Sequence, residues 1–463
     1  MKSPRTVRKL TRCLLVITAL FVSVSAFADT DPWASVPGIL ARIVPPSFPP
    51  RDFVITKFGA RDGADVSVAI AKAIDACARA GGGHVIVPKG DYITGPIRLQ
   101  SHIDLHIDAG ATLRFSQDPS RYPLTLTRWE GVELMNYAPL ISALDCEDVA
   151  ITGEGTLDGQ ADETHWWNWK VEKEPRLQSA DRNALFKQND EAVPVAQRVY
   201  GSGHFLRPTF VEPLRCTNIL IEGVTIRNAP FWVLHPTLCT NVTIRRVTVF
   251  GHGPNMDGCD PESCRDVLIE DCVFDTGDDC IALKSGRNAD GRRINVPIEN
   301  VVIRGCRMNG GHGGITVGSE ISGGARNIYA EKNRLDSPTL ERGLRIKTNS
   351  ARGGIVENIF ARDIEIGTLM FAPIEIDLQY MSETGTFVPT VRNIVVERMH
   401  SMHSQYGLYI RAFDKTPLRG VVVRDSAFRG VTNGHVIEGD VDLTLSDVTV
   451  ETAPAPKPEK RKP

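Results

Sequence analysis

One short pattern recurs nine times between Cys146 and Phe428: a cysteine or charged residue, an Asn, Asp or Gly, a β-branched run, a charge, then a second strand-like run. CTNVTIRRVTV from Cys239, CRDVLIEDCVF from Cys264 and RNIVVERMHS from Arg392 are three copies. Aligned on Asn218, Asn241, Asp266, Asn300, Asn327, Asn358, Asn393 and Gly420, successive intervals are 23, 25, 34, 27, 31, 35 and 27. Repeats of that length built only from strands and turns are the mark of a β-solenoid. A propeller needs four strands and about 40–45 residues per blade, so the shorter intervals exclude it. The expected fold is therefore all-β: a right-handed, single-stranded parallel β-helix, each coil rising about 4.8 Å on the last. The recurring Asn and Cys are expected to stack as structural ladders inside it.

The rest of the chain fits round that solenoid. Lys2, Arg5, Arg8, Lys9 and Arg12 precede an apolar run, Cys13–Val24, and an Ala26-Phe27-Ala28 cleavage site. Residues 1–28 thus read as a secretory signal peptide, too short in its apolar part to span a bilayer. The mature protein is expected to be exported, secreted or periplasmic, with no membrane association. Residues 29–50 read as an extended, Pro-rich lead-in, 51–450 as the β-helix, and 451–463 as a disordered tail. Val66–Ala80 has helical spacing with Ile70, Ile74 and Cys77 on one face, and is expected to cap the N-terminal end. A long charged insertion at about 160–206, carrying Trp166, Trp167 and Trp169, interrupts the repeat. Net charge is only -3, so no general field draws in a polyanion and nucleic acid is not an expected partner. Nine cysteines follow the signal segment; buried thiols are the favoured reading over one or two disulfides, and their spacing does not suit zinc.

Chemistry concentrates in Gly251–Gly286. Asp257, Asp278 and Asp279 stand there among glycines and apolar residues, where adjacent carboxylates repel and have no evident structural use. A lone aspartate in a turn is usually a local cap, and Arg345 and Lys347 flanking Ile346 need be no more than an exposed strand face. Offsets argue otherwise. Asp278 follows Asp266 by 12 residues and His312 follows Asn300 by 12; Asp257 and Arg345 follow their anchors by 16 and 18. Four consecutive coils would then bring Asp257, Asp278 with Asp279, His312, and Arg345 with Lys347 to one wall. Carboxyls whose pKa values are driven apart can supply the acid and base of glycoside hydrolysis, and an adjoining Arg and Lys would bind an acidic sugar. No metal or cofactor is expected.

NMD at 255–257, GDD at 277–279, GHG at 311–313 and RIK at 345–347 resemble, in order and spacing, the signature motifs of glycoside hydrolase family 28, the polygalacturonases and related pectin hydrolases. Met256 departs from the family's usual Thr. The resemblance implies a right-handed parallel β-helix and inverting hydrolysis of α-1,4-galacturonan. It makes Asp278 the general acid, sets Asp257 and Asp279 to hold the water, and gives His312 control of the acid's protonation. Asn255, Arg345, Lys347 and Tyr380 of IEIDLQY are implied substrate-binding residues. GHGGITVGSEISGG and the insertion resemble the exo-acting branch, the insertion walling the groove into a pocket for a chain end. The expected partner is a pectic polysaccharide or oligogalacturonide, acted on by a monomer. Rhamnogalacturonan- or xylogalacturonan-active hydrolases, a calcium-dependent pectate lyase and a non-catalytic polysaccharide-binding β-helix remain alternatives.

Overall fold

The computed structural model describes residues 31–170, 177–415 and 418–453. The expected signal peptide lies outside them. The chain divides into a short piece, Met1–Ala34, and a body, Ser35–Pro463, whose architecture follows.

The body is a right-handed parallel β-helix. Among the described residues every ladder is parallel except a hairpin, Leu124–Trp129 with Val132–Tyr137. Register makes the cause plain: Val242, Val267, Val301, Ile328, Ile359, Ile394 and Val421 lie opposite one another on successive coils. All seven are essentially fully buried, and each such side chain contributes about 1.5–3 kcal/mol. A one-residue slip would turn the whole stack outward, so the pattern fixes the register.

Two ladders stand beside that core. Each anchor from Asn218 to Asn393 has a φ of 55–59°, the left-handed region that Asn, Asp and Gly enter most readily. Their amides bond coil to coil, as in Asn327 to Asn300 (3.1 Å) and Asn358 to Asn327 (3.0 Å). This ladder runs along a half-exposed corner, not inside the helix as expected, because its amides join turns and can stay wet. The thiols do stack inward. The N–H groups of Cys146, Cys216 and Cys239 each point at the next cysteine's Sγ at 3.4 Å, and the nine cysteines among the described residues are free.

Several parts differ from expectation. The lead-in is not simply extended: a short helix, α1 (Val36–Leu40), packs on Arg265–Glu270 and Ile298–Arg304. Beyond it Arg42 pairs with Asp266 at 2.6 Å, and Val44 exchanges backbone bonds with the Asn241 amide. The capping helix, α2 (Ser67–Arg79), buries Ile70, Ile74 and Cys77 against the first coils. Two more helices were not anticipated, α3 (Leu177–Asp190) within the insertion and α4 (Asn288–Ile294). Late coils fuse their paired strands into 14-residue units such as Ile355–Thr368, and the last strand continues to Thr452, into the expected tail; residues 454–463 lie outside those described. No helix among the described residues is long and apolar enough to cross a membrane.

A separate six-stranded parallel sheet carries the candidate chemistry: β1 (Ile281–Leu283), β2 (Ile315–Gly318), β3 (Arg342–Lys347), β4 (Ala372–Asp377), β5 (Leu408–Arg411) and β6 (His435–Glu438).

Candidate active site

In β1 to β5 the apolar residues at alternate positions, such as Ile315 and Val317, enter the core, so the residues between them face outward. Register then aligns Ala282, Thr316, Arg345, Glu375 and Tyr409 in one outward row. Asp278 and Asp279 lie in the bend before β1, and the same register sets Asp278 opposite His312 and Asp279 opposite Gly313. Backbone bonds lock the coils together here: Gly258 N–H donates to the Asp279 carbonyl (2.9 Å) and His312 N–H to that of Asp278 (3.2 Å). Gly313 is obligatory, since a Cβ there would stand 2.7 Å from Asp279 Oδ1 and 2.4 Å from Thr316 Oγ1.

The three aspartates meet, each offering an oxygen within 4.8 Å of the others. Their environments differ. Asp279 is fully buried; burial pushes its carboxyl up, but Lys347 (2.6 Å), Arg345 (3.2 Å) and Lys284 outweigh it and hold the group ionised, well below the ordinary range. Asp278, its side chain 16% exposed, is raised by burial and by Asp279, yet the His312 bond at 3.0 Å brings it below the usual carboxylate range. Asp257 has no such compensation. Burial, Asp278 and Asp260 push it well up, Lys284 opposes from 3.8 Å, and its Oδ1 is buried without a hydrogen bond. Asp257 is therefore the carboxyl of the three that holds a proton most readily. His312 in turn is raised by its bond to Asp278.

The expected carboxylate clamp is largely turned inward. Arg345 and Lys347 are 5% and 6% exposed. Lys347 is bound to Asp279, and Arg345 Nε donates to Glu375 at 2.8 Å. A fully buried carboxylate needs such cations; Arg345 spends Nε on Glu375 and Nη1 on Asp279. Tyr380 is half-buried, its ring 5.5 Å from the Arg345 guanidinium and 5.3 Å from Lys347 Nζ. Asn255 accepts from the buried Arg207 at 2.8 Å, which turns its amide NH2 away from that arginine. With both Asp279 oxygens occupied by cations, the trio is poorly suited to a divalent metal.

Sequence reading missed a buried set at the N-terminal side of the same floor. Lys284 lies 3.4 Å from Asp260 and 3.3 Å from Glu320, with its Nζ 4.3 Å over the Trp232 ring. Burial pushes Asp260 up to about 7 despite Lys284 and His235. His235 bonds Glu262 (2.9 Å), Arg128 pairs with Glu262 (3.2 Å), and Thr127 donates to Glu212 (2.7 Å). Glu212, His235, Asp260, Glu262 and Lys284 are at most 2% exposed, although they belong to outward rows. The signal was there: polar residues at outward strand positions on successive coils, as in Lys284 of CIALKSG.

The cover over them is built from the 124–137 hairpin and the insertion, which share a small apolar core including Trp129, Leu134, Leu185, Phe231 and Trp232. Trp166 and Trp169 are buried in an aromatic cluster with Tyr122, Tyr137 and Phe205, so they do not line a groove. Trp167 reaches the site loop, its indole N–H donating to Ala229 (2.9 Å) so close to Gly253 that any Cβ there would clash at 2.2 Å.

Comparison with known proteins gives the family and the fold. The profile described as "Glycosyl hydrolases family 28" matches residues 202–450. A crystal structure of a hyperthermoactive exopolygalacturonase from Thermotoga maritima is 42% identical, with a TM-score of 0.87 over 90% of this chain and 96% of that one. A "Probable polygalacturonase" of Vitis vinifera is 32% identical over 63% of this chain, and an "Exo-poly-alpha-D-galacturonosidase" of Dickeya chrysanthemi 26% over 75%. The chain spans 55% and 62% of the length of these two curated relatives.

Proposed function

Because the chain belongs to the glycosyl hydrolases of family 28, we propose that it hydrolyses α-1,4 bonds between galacturonate units of pectin, acting from a chain end and with inversion. The exo-acting relatives support the mode, and one observation carries it: the floor is sealed at Lys284, on the coil of the catalytic aspartates, while Tyr409 and Arg411 on the other side remain partly open. A polymer cannot run through such a site, but its end can enter.

Exposure supports a division of roles. Asp278 has the most accessible carboxyl of the trio (16%, against 4% and 0%), so it is the group that meets the glycosidic oxygen. The carboxyl oxygens lie closer than the ~6.5–9.5 Å of an ordinary inverting pair. Asp257 and Asp279 are nevertheless too deeply buried to attack an anomeric carbon; Asp257, which keeps 4% exposure, can accept from a water that does so.

In this reading the proton starts on Asp257, whose carboxyl burial raises, while His312 holds Asp278 down, so the acid must be loaded. A bound sugar displaces bulk water from Asp278 and brings its own carboxylate near; both effects raise Asp278, and the proton passes from Asp257 to Asp278 through one bridging water or sugar hydroxyl, their oxygens lying within 4.8 Å. Asp278 then gives it to the leaving oxygen, while the water delivers hydroxide to carbon and its proton to Asp257. One water is added across the bond and the carboxyls return to their starting state. Asp279, fully buried with its oxygens on Lys347 and Arg345, does not reach that water; it fixes the two cations beside the acid. Remaining donors of Arg345 and Lys347, the Asn255 amide and Tyr380 bind the sugar. The proposal includes an exported, monomeric protein, export resting on residues 1–28.

The test is a time course of products from polygalacturonate for wild type and Asp278→Asn, with ¹H NMR of the first anomer. Saturated mono- or digalacturonate from the outset, of inverted configuration, is expected. Asp278→Asn should lower kcat by about 10²–10⁴-fold. Mid-length oligomers at early times would overturn the exo mode, and unsaturated products the hydrolytic one.

A further inference from the structure

On the open side of the site, Phe371, Tyr406 and Tyr409 form a connected aromatic patch. Phe371 and Tyr409 have ring centroids 4.8 Å apart, Tyr406 and Tyr409 5.4 Å, and Phe371 and Tyr406 5.1 Å. All three are half-buried, and none belongs to either apolar core. Core packing therefore does not explain them. Register sets Tyr409 in the outward row of Arg345 and Glu375, two coils further on and so roughly 10 Å along the axis.

The patch is continuous with the catalytic centre. Asp278 is bonded to His312 (3.0 Å), the His312 carbonyl lies 3.5 Å from Arg342 Nη1, and the Arg342 guanidinium stands 4.5 Å over the Phe371 ring. Arg342 is further held by Glu375 at 2.6 Å. A pyranose presents one face of C–H bonds, and those slightly positive hydrogens suit the negative face of an aromatic ring. Only an occupant leaving the catalytic centre along the sheet would follow this path.

We propose that Phe371, Tyr406 and Tyr409 form a distal platform on which the polymer body rests, several sugars from the bond being cut. This rests on the galacturonan reading above and deepens it: the sealed side receives the chain end, and the platform holds the rest of the chain. A trimer is too short to use it fully, so the platform selects for length.

Binding to polygalacturonate and to trigalacturonate is measured by calorimetry in an Asp278→Asn background, where turnover is slowed about 10²–10⁴-fold. Adding Tyr409→Ala should raise the polymer-to-trimer ratio of dissociation constants about 3- to 10-fold. Tyr409→Phe, which keeps the ring, should restore it. Tyr406→Ala, with its unfolding temperature checked, is the second variant and should act in the same direction. An unaltered ratio in both alanine variants overturns the platform, as does a parent protein that fails to bind the polymer. If the wild type binds polymer in this length-dependent way yet releases no product, the platform stands and the hydrolytic reading falls.

Discussion

Lys284 and Arg411 are equivalent outward positions on one sheet, at the ends of β1 and β5, yet their side chains are 2% and 27% exposed. Strand alternation made both polar; what was laid over the sheet afterwards separated their fates. Under the hairpin and insertion, Lys284 has Asp257, Asp260 and Glu320 within 3.8 Å. Arg411 has Asp377 and Glu438 at 3.7 and 3.8 Å, in reach of water. The first arrangement is an electrostatic commitment that blocks the groove. The second leaves room for ligand.

The strongest way to break this contrast is to delete each charge. Lys284→Met should cost about 3–5 kcal/mol, since it strands buried carboxylates, whereas Arg411→Met should cost about 0–1 kcal/mol. Urea unfolding of both reads the difference, and adding Glu320→Gln should recover part of the Lys284→Met loss. Equal losses would mean that cover does not set the energetics.

A smaller effect sharpens it. Asp260 is raised from the ordinary 3.8 to about 7, so its contribution favours the fold below pH 4 and is lost as pH rises through 7. Asp260→Asn should flatten the fall in unfolding temperature across that window. A profile parallel to wild type would show that Asp260 is not the group titrating.

The smallest effect lies at the junction of the two regions. His312 is raised by Asp278 and holds that carboxyl down. His312→Asn should reduce kcat about 10-fold and move the alkaline limb of kcat/KM to higher pH, because Asp278, no longer held down, lets the Asp257–Asp278 pair keep its shared proton longer. A shift to lower pH would reverse the role given to His312.

Repetition made the solenoid legible. Anchors such as Asn300 and Asn327 must occupy a left-handed turn, which few residues tolerate, so they recur visibly. The aspartates were legible because Asp278-Asp279 has no inexpensive structural use. Other features depended on contacts between distant segments. Nothing local to Glu212, His235 or Lys284 says that the 124–137 hairpin, itself unrecognised in sequence, would cover them. Arg345 and Lys347 read as a substrate clamp because their place on the repeat and their charge suit an acidic sugar, and the full burial of Asp279 explains why both turn toward it. Tyr409 of LYIR looked like any strand residue until register set it beyond Arg345.

The segment from α1 to Val44 has a mechanical consequence. A solenoid whose coils touch only their neighbours can unzip from either end, one coil at a time. Here α1, Arg42 and Val44 are fastened to coils lying between Asn241 and Arg304. Everything between the two attachment points is thereby a closed loop, and no coil within it can peel away until the clasp opens. The first half of the helix should melt as one block while the coils after Arg304 fray individually. Under tension applied at the chain ends, that later half would extend first, leaving the coils that carry Asp257, Asp278 and Asp279 intact inside the clasp.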